Sequence, residues 1–526
     1  MASMMSRREA CAGMAGVAVA GLLPDTPDDS RLVRVGPDHF RFELAGAGKT
    51  FVPFGANLVL RSKEDLDNFG PRYSADRMAR VLDASAALGI NLLKVFLPIH
   101  AMLPDPQPEG SARPDNLRID NLQAFLPLCR ARGIRVVISL TEWGGNGLQW
   151  WQQGGQYWGR PPWQTDGPDS IGTLCAFWER FAARFKGNPT VFSYTPCVEW
   201  SMPAGNLTYV PPTADAGVPP GDTALRHWRA WAQARYGGMD GLSRAWAIPL
   251  RSAAEIAPID YSYDEASHVY RDTDRRILDY QAFREWTTLR YFRPQLAAIK
   301  AADPGHMTTV SLHMRSWNLW TGAARHFLGY TPHELAPFVD YLTHHANYDE
   351  AEMAQHRRSI ASVAHDVEVM CRFANAGQTR PVILEEFTYG AANPTTTARA
   401  QEAIVRQTIG SASGWTTWYL QYPEGANEAD AAHPSCWLDA DLKPTAWGIA
   451  AKALAAELSH ADIRRKPGKR VVTLDREAEL LPRRTGTLID TYTRYDELPQ
   501  PTDFRAGHER GLDVRLPGDP SRPGRS

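Results

Sequence analysis

A (β/α)8 TIM barrel, with an insertion after its fourth strand and a C-terminal extension, is the fold class predicted for this 526-residue chain. Three features predict it. Eight short apolar runs recur along the chain, each short enough for a strand buried on both faces. Amphipathic, helix-length segments separate them, as parallel strands with crossover helices require. A doubly wound open sheet shares that alternation, but no glycine-rich phosphate loop follows the first run.

In chain order the runs are FVPFGAN (51–57), INLLKVFLP (90–98), IRVVISLTEW (134–143) and TVFSYTPCVEW (190–200). The second four are HMTTVSLHM (306–314), DYLTHHANY (340–348), PVILEEF (381–387) and GWTTWYLQY (414–422). Between the first two lies SADRMARVLDASAALG, a helix that Ser74 would cap and Gly89 would end. A Pro/Gly-rich stretch and further helices follow Glu199, forming the insertion. The barrel is expected over residues 31–460. From 461 to 526 the chain turns polar and Arg/Pro-rich, and reads as a partly ordered extension.

A formal charge of -2 offers no basic field for nucleic acid, and no run of about 20 apolar residues suits a membrane. Residues 1–30 read as an export signal and linker. Arg7-Arg8 stands directly before an Ala/Gly/Val-rich stretch, as in a twin-arginine or general export signal, which would place the protein in the periplasm or outside the cell. Six cysteines without a CxxC pair imply neither a metal knuckle nor a disulfide framework.

In such a barrel the chemistry sits at the C-terminal ends of the strands. Those ends carry Asn57, Lys94, Glu142-Trp143, Glu199-Trp200, His313, His344-His345 with Tyr348, Glu385-Glu386 and Trp418. Glutamates thus end strands four and seven, on opposite sides of an eight-strand ring. That placement suits retaining glycoside hydrolysis, in which one carboxyl protonates the leaving oxygen and another, about 5 Å away, attacks the anomeric carbon. Neighbouring residues on a strand alternate in direction. Of Glu385 and Glu386, one is therefore expected to face substrate and the other the scaffold, and the same holds for His344 and His345. The His pair lacks a third ligand at regular spacing, so no metal is expected, and no cofactor is implied.

Several phrases resemble the clan A glycoside hydrolases. RPVILEEFTYG is similar to the seventh-strand phrase of family 5, where the glutamate before the aromatic is the nucleophile. RFKGNPTVFSYTPCVEWSMP resembles the stretch leading to the acid/base. VVISLTEWGGNG is similar to the third strand and loop of family 5 β-mannanases, and LRHWRAWAQARYGGMDGLSRAWAIPLRSAAEI to a helical insertion of family 42 β-galactosidases. The resemblance implies Glu386 as nucleophile and Glu199 as acid/base, with Glu385 turned to the barrel wall or a helix-side cation. It also implies a carbohydrate partner held by Trp418, His344, His345, Tyr348, Trp143, Trp200, Asn57 and Lys94. Two positions depart from the pattern: Val198 replaces the usual Asn before the acid/base, and Lys94 an Arg near the nucleophile. The expected function is a retaining β-glycosidase, on β-mannans first and β-galactosides or β-glucosides next. A carbohydrate-binding protein without turnover, on a decayed barrel, is the competing class.

Overall fold

The computed structural model describes residues 31–60, 67–102, 116–141, 170–198, 222–257, 263–264, 269–270, 275–312, 332–355, 358–375, 380–422, 435–466, 470–473 and 512–515. The export signal expected over 1–30 lies outside them, as do Glu142, Trp143, Glu199, Trp200 and His313.

A small antiparallel sheet comes first: β1 (Val33–Val35), β2 (Phe42–Leu44) and β3 (Thr50–Phe51). Each of the eight apolar runs then supplies one strand of a parallel sheet. These are β4 (Phe54–Asn57), β5 (Leu92–Pro98), β6 (Arg135–Thr141) and β7 (Val191–Thr195). After a two-stranded hairpin, β8 (Tyr263–Asp264) and β9 (Val269–Tyr270), come β10 (Met307–Thr308), β11 (Leu342–Asp349), β12 (Val382–Gly390) and β13 (Gly414–Thr417). A last parallel pair, β14 (Arg470–Thr473) with β15 (Leu512–Arg515), belongs to the C-terminal extension. The helix predicted after β4 runs Ala75–Ala87, and Ser74 Oγ caps it by accepting from the Arg77 amide at 3.3 Å. Gly89 closes it in the left-handed region, at φ +82°.

The large sheet is ordered β10-β7-β6-β5-β4-β13-β12-β11, the sequence of a barrel cut along one seam. This corrects the expectation of a closed barrel: β10 and β11 share no ladder. The reason lies in the side chains along the seam. β10 is only two residues long, and threonine hydroxyls stand where ladder bonds would be. Thr309 Oγ1 donates to the Tyr341 carbonyl at 2.7 Å, and Thr343 Oγ1 donates to the Val310 carbonyl at 2.9 Å. The Leu312 amide donates to that same Thr343 hydroxyl at 3.0 Å. An inserted hydroxyl satisfies the backbone but keeps the strands apart.

Alternation along the strands divides the core in two. Leu93, Val95, Val136, Ile138, Val382 and Leu384 pack outward against the helices. Leu92, Val137, Phe192, Met307, Tyr341 and Ile383 pack together at the sheet's inner base, where Val33, Phe42, Leu44 and Phe51 of the small sheet join them. The Phe42 ring meets Phe192 edge-on at 5.4 Å and Tyr341 at 5.7 Å. β1–β3 therefore plug the N-terminal mouth, and the next inward layer is where polar groups begin.

The insertion holds the helices Asp222–Arg235 and Met239–Trp246, whose Trp228, Leu242 and Trp246 form a separate apolar cluster with Tyr280 and Phe283 of the long helix Arg275–Ala302. The five cysteines of the described residues form no disulfide with one another. Among the described residues no helix is long and apolar enough to cross a membrane.

Candidate active site

One layer above the plug, two residues beyond inward-facing Leu92 and Ile383, stand Lys94 and Glu385. The Lys94 ammonium is fully buried and lies 3.0 Å from Glu385 Oε2 and 3.3 Å from Glu386 Oε1. It also donates to Ser311 Oγ at 3.0 Å. Both carboxylates thus gather on one cation. Glu385 does not turn to the barrel wall as the resemblance implied: alternation from inward-facing Ile383 already sends it in, and Glu386 is the residue that breaks the two-residue period.

The register gives the physical reason. His344 pairs with Leu384 and the next residue, His345, with Glu386, so Glu385 is an extra residue on β12. On the other side Leu384 and Phe387 pair with Trp415 and Thr417, leaving Glu385 and Glu386 opposite Thr416 alone. A β-bulge of this kind breaks the two-residue period and turns consecutive side chains to one face. Phe387 then packs outward, although simple alternation from Ile383 would send it in. Side chains support the displaced backbone. Asn57 Nδ2 donates to the carbonyls of Glu385 and Thr417, each at 3.0 Å, and the Thr416 hydroxyl donates to the Glu385 carbonyl as well.

Asn57 thus supports the bulge through its Nδ2. Asn57→Ala would leave the Glu385 carbonyl one donor short and strip the Thr417 carbonyl of this partner in a buried site. The expected loss of stability is about 2–4 kcal/mol by urea unfolding.

His345 completes the cluster. Its Nε2 is 3.2 Å from both Glu385 Oε2 and Ser311 Oγ, and its Nδ1 is 3.3 Å from Glu386 Oε2. Ser311 Oγ donates to Glu385 Oε2 at 2.5 Å. His344 takes the other face, with Nε2 2.9 Å from Met370 Sδ on the helix Ile360–Ala374. The adjacent histidines divide as alternation requires, and His344 is placed away from the site. Trp418 is half-buried at the rim, edge-on to Phe96 at 5.9 Å and to Tyr419 at 5.5 Å. Val198 packs in the same rim cluster. Tyr348, near the end of β11, is partly buried against the outer core. Ser311 was not found from sequence; its only signal is a hydroxyl inside an apolar run, which a satisfied core serine would share.

The electrostatics follow from the contacts. Burial alone would raise the Glu385 carboxyl, but Lys94, His345 and Ser311 more than offset it and hold the group down at about 2. Burial would lower the Lys94 ammonium, yet the two carboxylates leave it raised. For Glu385 the folded value lies below the unfolded one. Its contribution is present above roughly pH 4 and is lost as pH falls through 2, on the order of 3 kcal/mol. Unfolding by denaturant at pH 5 and at pH 2.5 should show that loss, and Glu385→Gln should show a shallower dependence.

The architecture matches known glycosidases. A GH5_18 protein variant from Streptomyces cattleya, solved with Manβ1-4GlcNAc, superposes with a TM-score of 0.57 at 16% identity, covering 89% of this chain and 94% of that one. The fold is that of the clan A glycoside hydrolases. An exo-β-1,4-mannosidase from Opitutaceae bacterium strain TAV5 gives 0.53 at 15% identity, covering 92% of this chain and 72% of its own. A catalytic mutant of a GH42 β-galactosidase from G. stearothermophilus gives 0.60 at 16%, over 89% and 65%. The family 42 β-galactosidase model matches residues 218–460, under half of the chain. By sequence, no curated protein matches. In this clan A fold the buried cluster lies inside the barrel-like sheet, above its plugged end.

Proposed function

We propose that the protein is a retaining β-glycosidase in which Glu386 is the nucleophile and Glu199 the acid/base. The observation that carries this reading is the placement of Glu386. It sits on the seventh strand of the sheet, 3.3 Å from a buried ammonium through one oxygen and 3.3 Å from an imidazole through the other. A nucleophilic carboxylate has to be ionised and aimed, and two fixed polar partners do both. In this mechanism Glu386 attacks the anomeric carbon while Glu199 gives its proton to the departing oxygen. Glu199 then takes a proton from the water that opens the glycosyl ester. Trp418 at the rim offers a face for a sugar ring.

β-Mannosides are the first-choice substrate, followed by β-galactosides and β-glucosides. The likeness to an exo-β-1,4-mannosidase and to a protein holding Manβ1-4GlcNAc supports that order, and the β-galactosidase family match supports the second choice. Binding without turnover is the second reading. Val198 favours it, being packed in the apolar rim where a neutral sugar-bonding amide would otherwise precede the acid/base. A panel of aryl β-glycosides and β-glycans separates the two. Hydrolysis, fastest on the mannoside, is expected; glycan binding with no turnover of any member would favour the second.

A further inference from the structure

The cluster around Lys94 has more acceptors than a neutral imidazole can serve. Lys94 donates to Ser311 Oγ, so the serine's own proton is the one on the 2.5 Å line to Glu385 Oε2. His345 Nε2 faces that same serine oxygen and Glu385 Oε2, both as acceptors, and so carries a proton. Nδ1 faces Glu386 Oε2 at 3.3 Å. A bare nitrogen there would set a lone pair against a carboxylate oxygen, whereas a protonated Nδ1 would face it as a donor. Glu386 Oε1 already accepts from the Lys94 ammonium, which favours the ionised carboxylate and places that proton on nitrogen.

We propose that His345 is a positioning residue that stands in the folded protein as an imidazolium bridging Glu385 and Glu386. This rests on the reading of Glu386 as nucleophile. Lys94 and His345 then balance the two carboxylates, so these four groups sum to zero with Glu386 charged. The charged and titratable groups around the ring, among the described residues, are Lys94 on β5, Glu385 and Glu386 on β12, and Tyr341 below. Tyr341 Oη is bonded to Ser193 Oγ at 2.7 Å, and burial pushes its phenol far up, so it stays neutral. The bulge explains why a bridge forms at all. Only with consecutive carboxylates on one face can one ring touch both.

The test is histidine-selective 15N labelling of the full chain, with His345→Asn, or His345→Gln should the first not fold, used to assign the signal. An ordinary histidine, titrating near 6.5, is almost wholly neutral at pH 8. The expected result is a His345 ring protonated on both nitrogens at pH 8, and on one only in Glu386→Gln. A neutral ring in the wild type at pH 8, or an imidazolium indifferent to Glu386→Gln, would overturn the proposal. In kinetics, His345→Asn should move the acidic limb of kcat/KM upward by about one pH unit, because a cation near Glu386 is gone. An unmoved limb would count against the bridge. An imidazolium in a protein that hydrolyses no glycoside would sink the glycosidase reading alone. Turnover with a neutral His345 would sink this inference alone.

Discussion

Glu386→Gln is expected to lower kcat/KM on the best aryl β-glycoside by about 10³-fold or more, since on the proposed reading its carboxylate forms the glycosyl ester. Glutamine keeps the volume and an oxygen that accepts from Lys94, so the fold should survive; a melting curve beside the wild type checks this. Glu385→Gln is the informative control. Its Oε2 is held by Lys94, Ser311 and His345, so on the proposed reading its loss disturbs aim more than chemistry. A fall within about 10²-fold is expected there. If the two variants exchanged ranks, Glu385 would be the nucleophile.

The second large effect concerns stability. Lys94→Met removes the cation between two carboxylates whose side chains are 3% and 4% exposed. Breaking a buried ion pair from one side leaves a charge without compensation, at a cost of about 3–5 kcal/mol. Urea unfolding at neutral pH measures it. The double variant Lys94→Met, Glu385→Gln should lose less than the sum of the single losses, because neutralising Glu385 relieves part of what the first change exposes. A Lys94→Met protein as stable as the wild type would mean that the cluster is not held by this lysine.

Much of the fold was legible because burial on two faces writes itself as apolar runs. Six of the eight strands of the large sheet fall within the runs read from the sequence, β11 and β12 start inside theirs and run one and three residues past them, and Ser74 and Gly89 bound their helix as expected. Two features were not legible. The bulge at Glu385 is a matter of register between strands, and one chain's residue order shows its period but not where that period slips. Parity with inward-facing Ile383 gives Glu385 alone, and only the bulge brings Glu386 to the same face. The open seam was hidden for a similar reason. Thr309 and Thr343 read as ordinary strand residues until their hydroxyls are seen replacing ladder bonds. The plug β1–β3 escaped notice because its strands are two or three residues long, too short to show a period.

At the site, sequence singled out Lys94, His345 and Glu386 as strand-end groups, although the structure places each of them inside its strand instead. It did not find Ser311, which is polar but unremarked in type. It did not show that Asn57 Nδ2 bonds two backbone carbonyls. A strand-end position marks a residue as a candidate; only the neighbours decide whether it serves substrate or scaffold.

The most direct measurement is to incubate the protein with 2-deoxy-2-fluoro-β-glycosyl fluorides of the manno, galacto and gluco series, and to map any adduct by peptide mass. A sugar ester on Glu386, formed fastest with the manno reagent and absent from Glu386→Gln, is the predicted result. No adduct with any reagent from a protein that still binds glycans, or an ester on Glu385, would contradict Glu386 as the nucleophile.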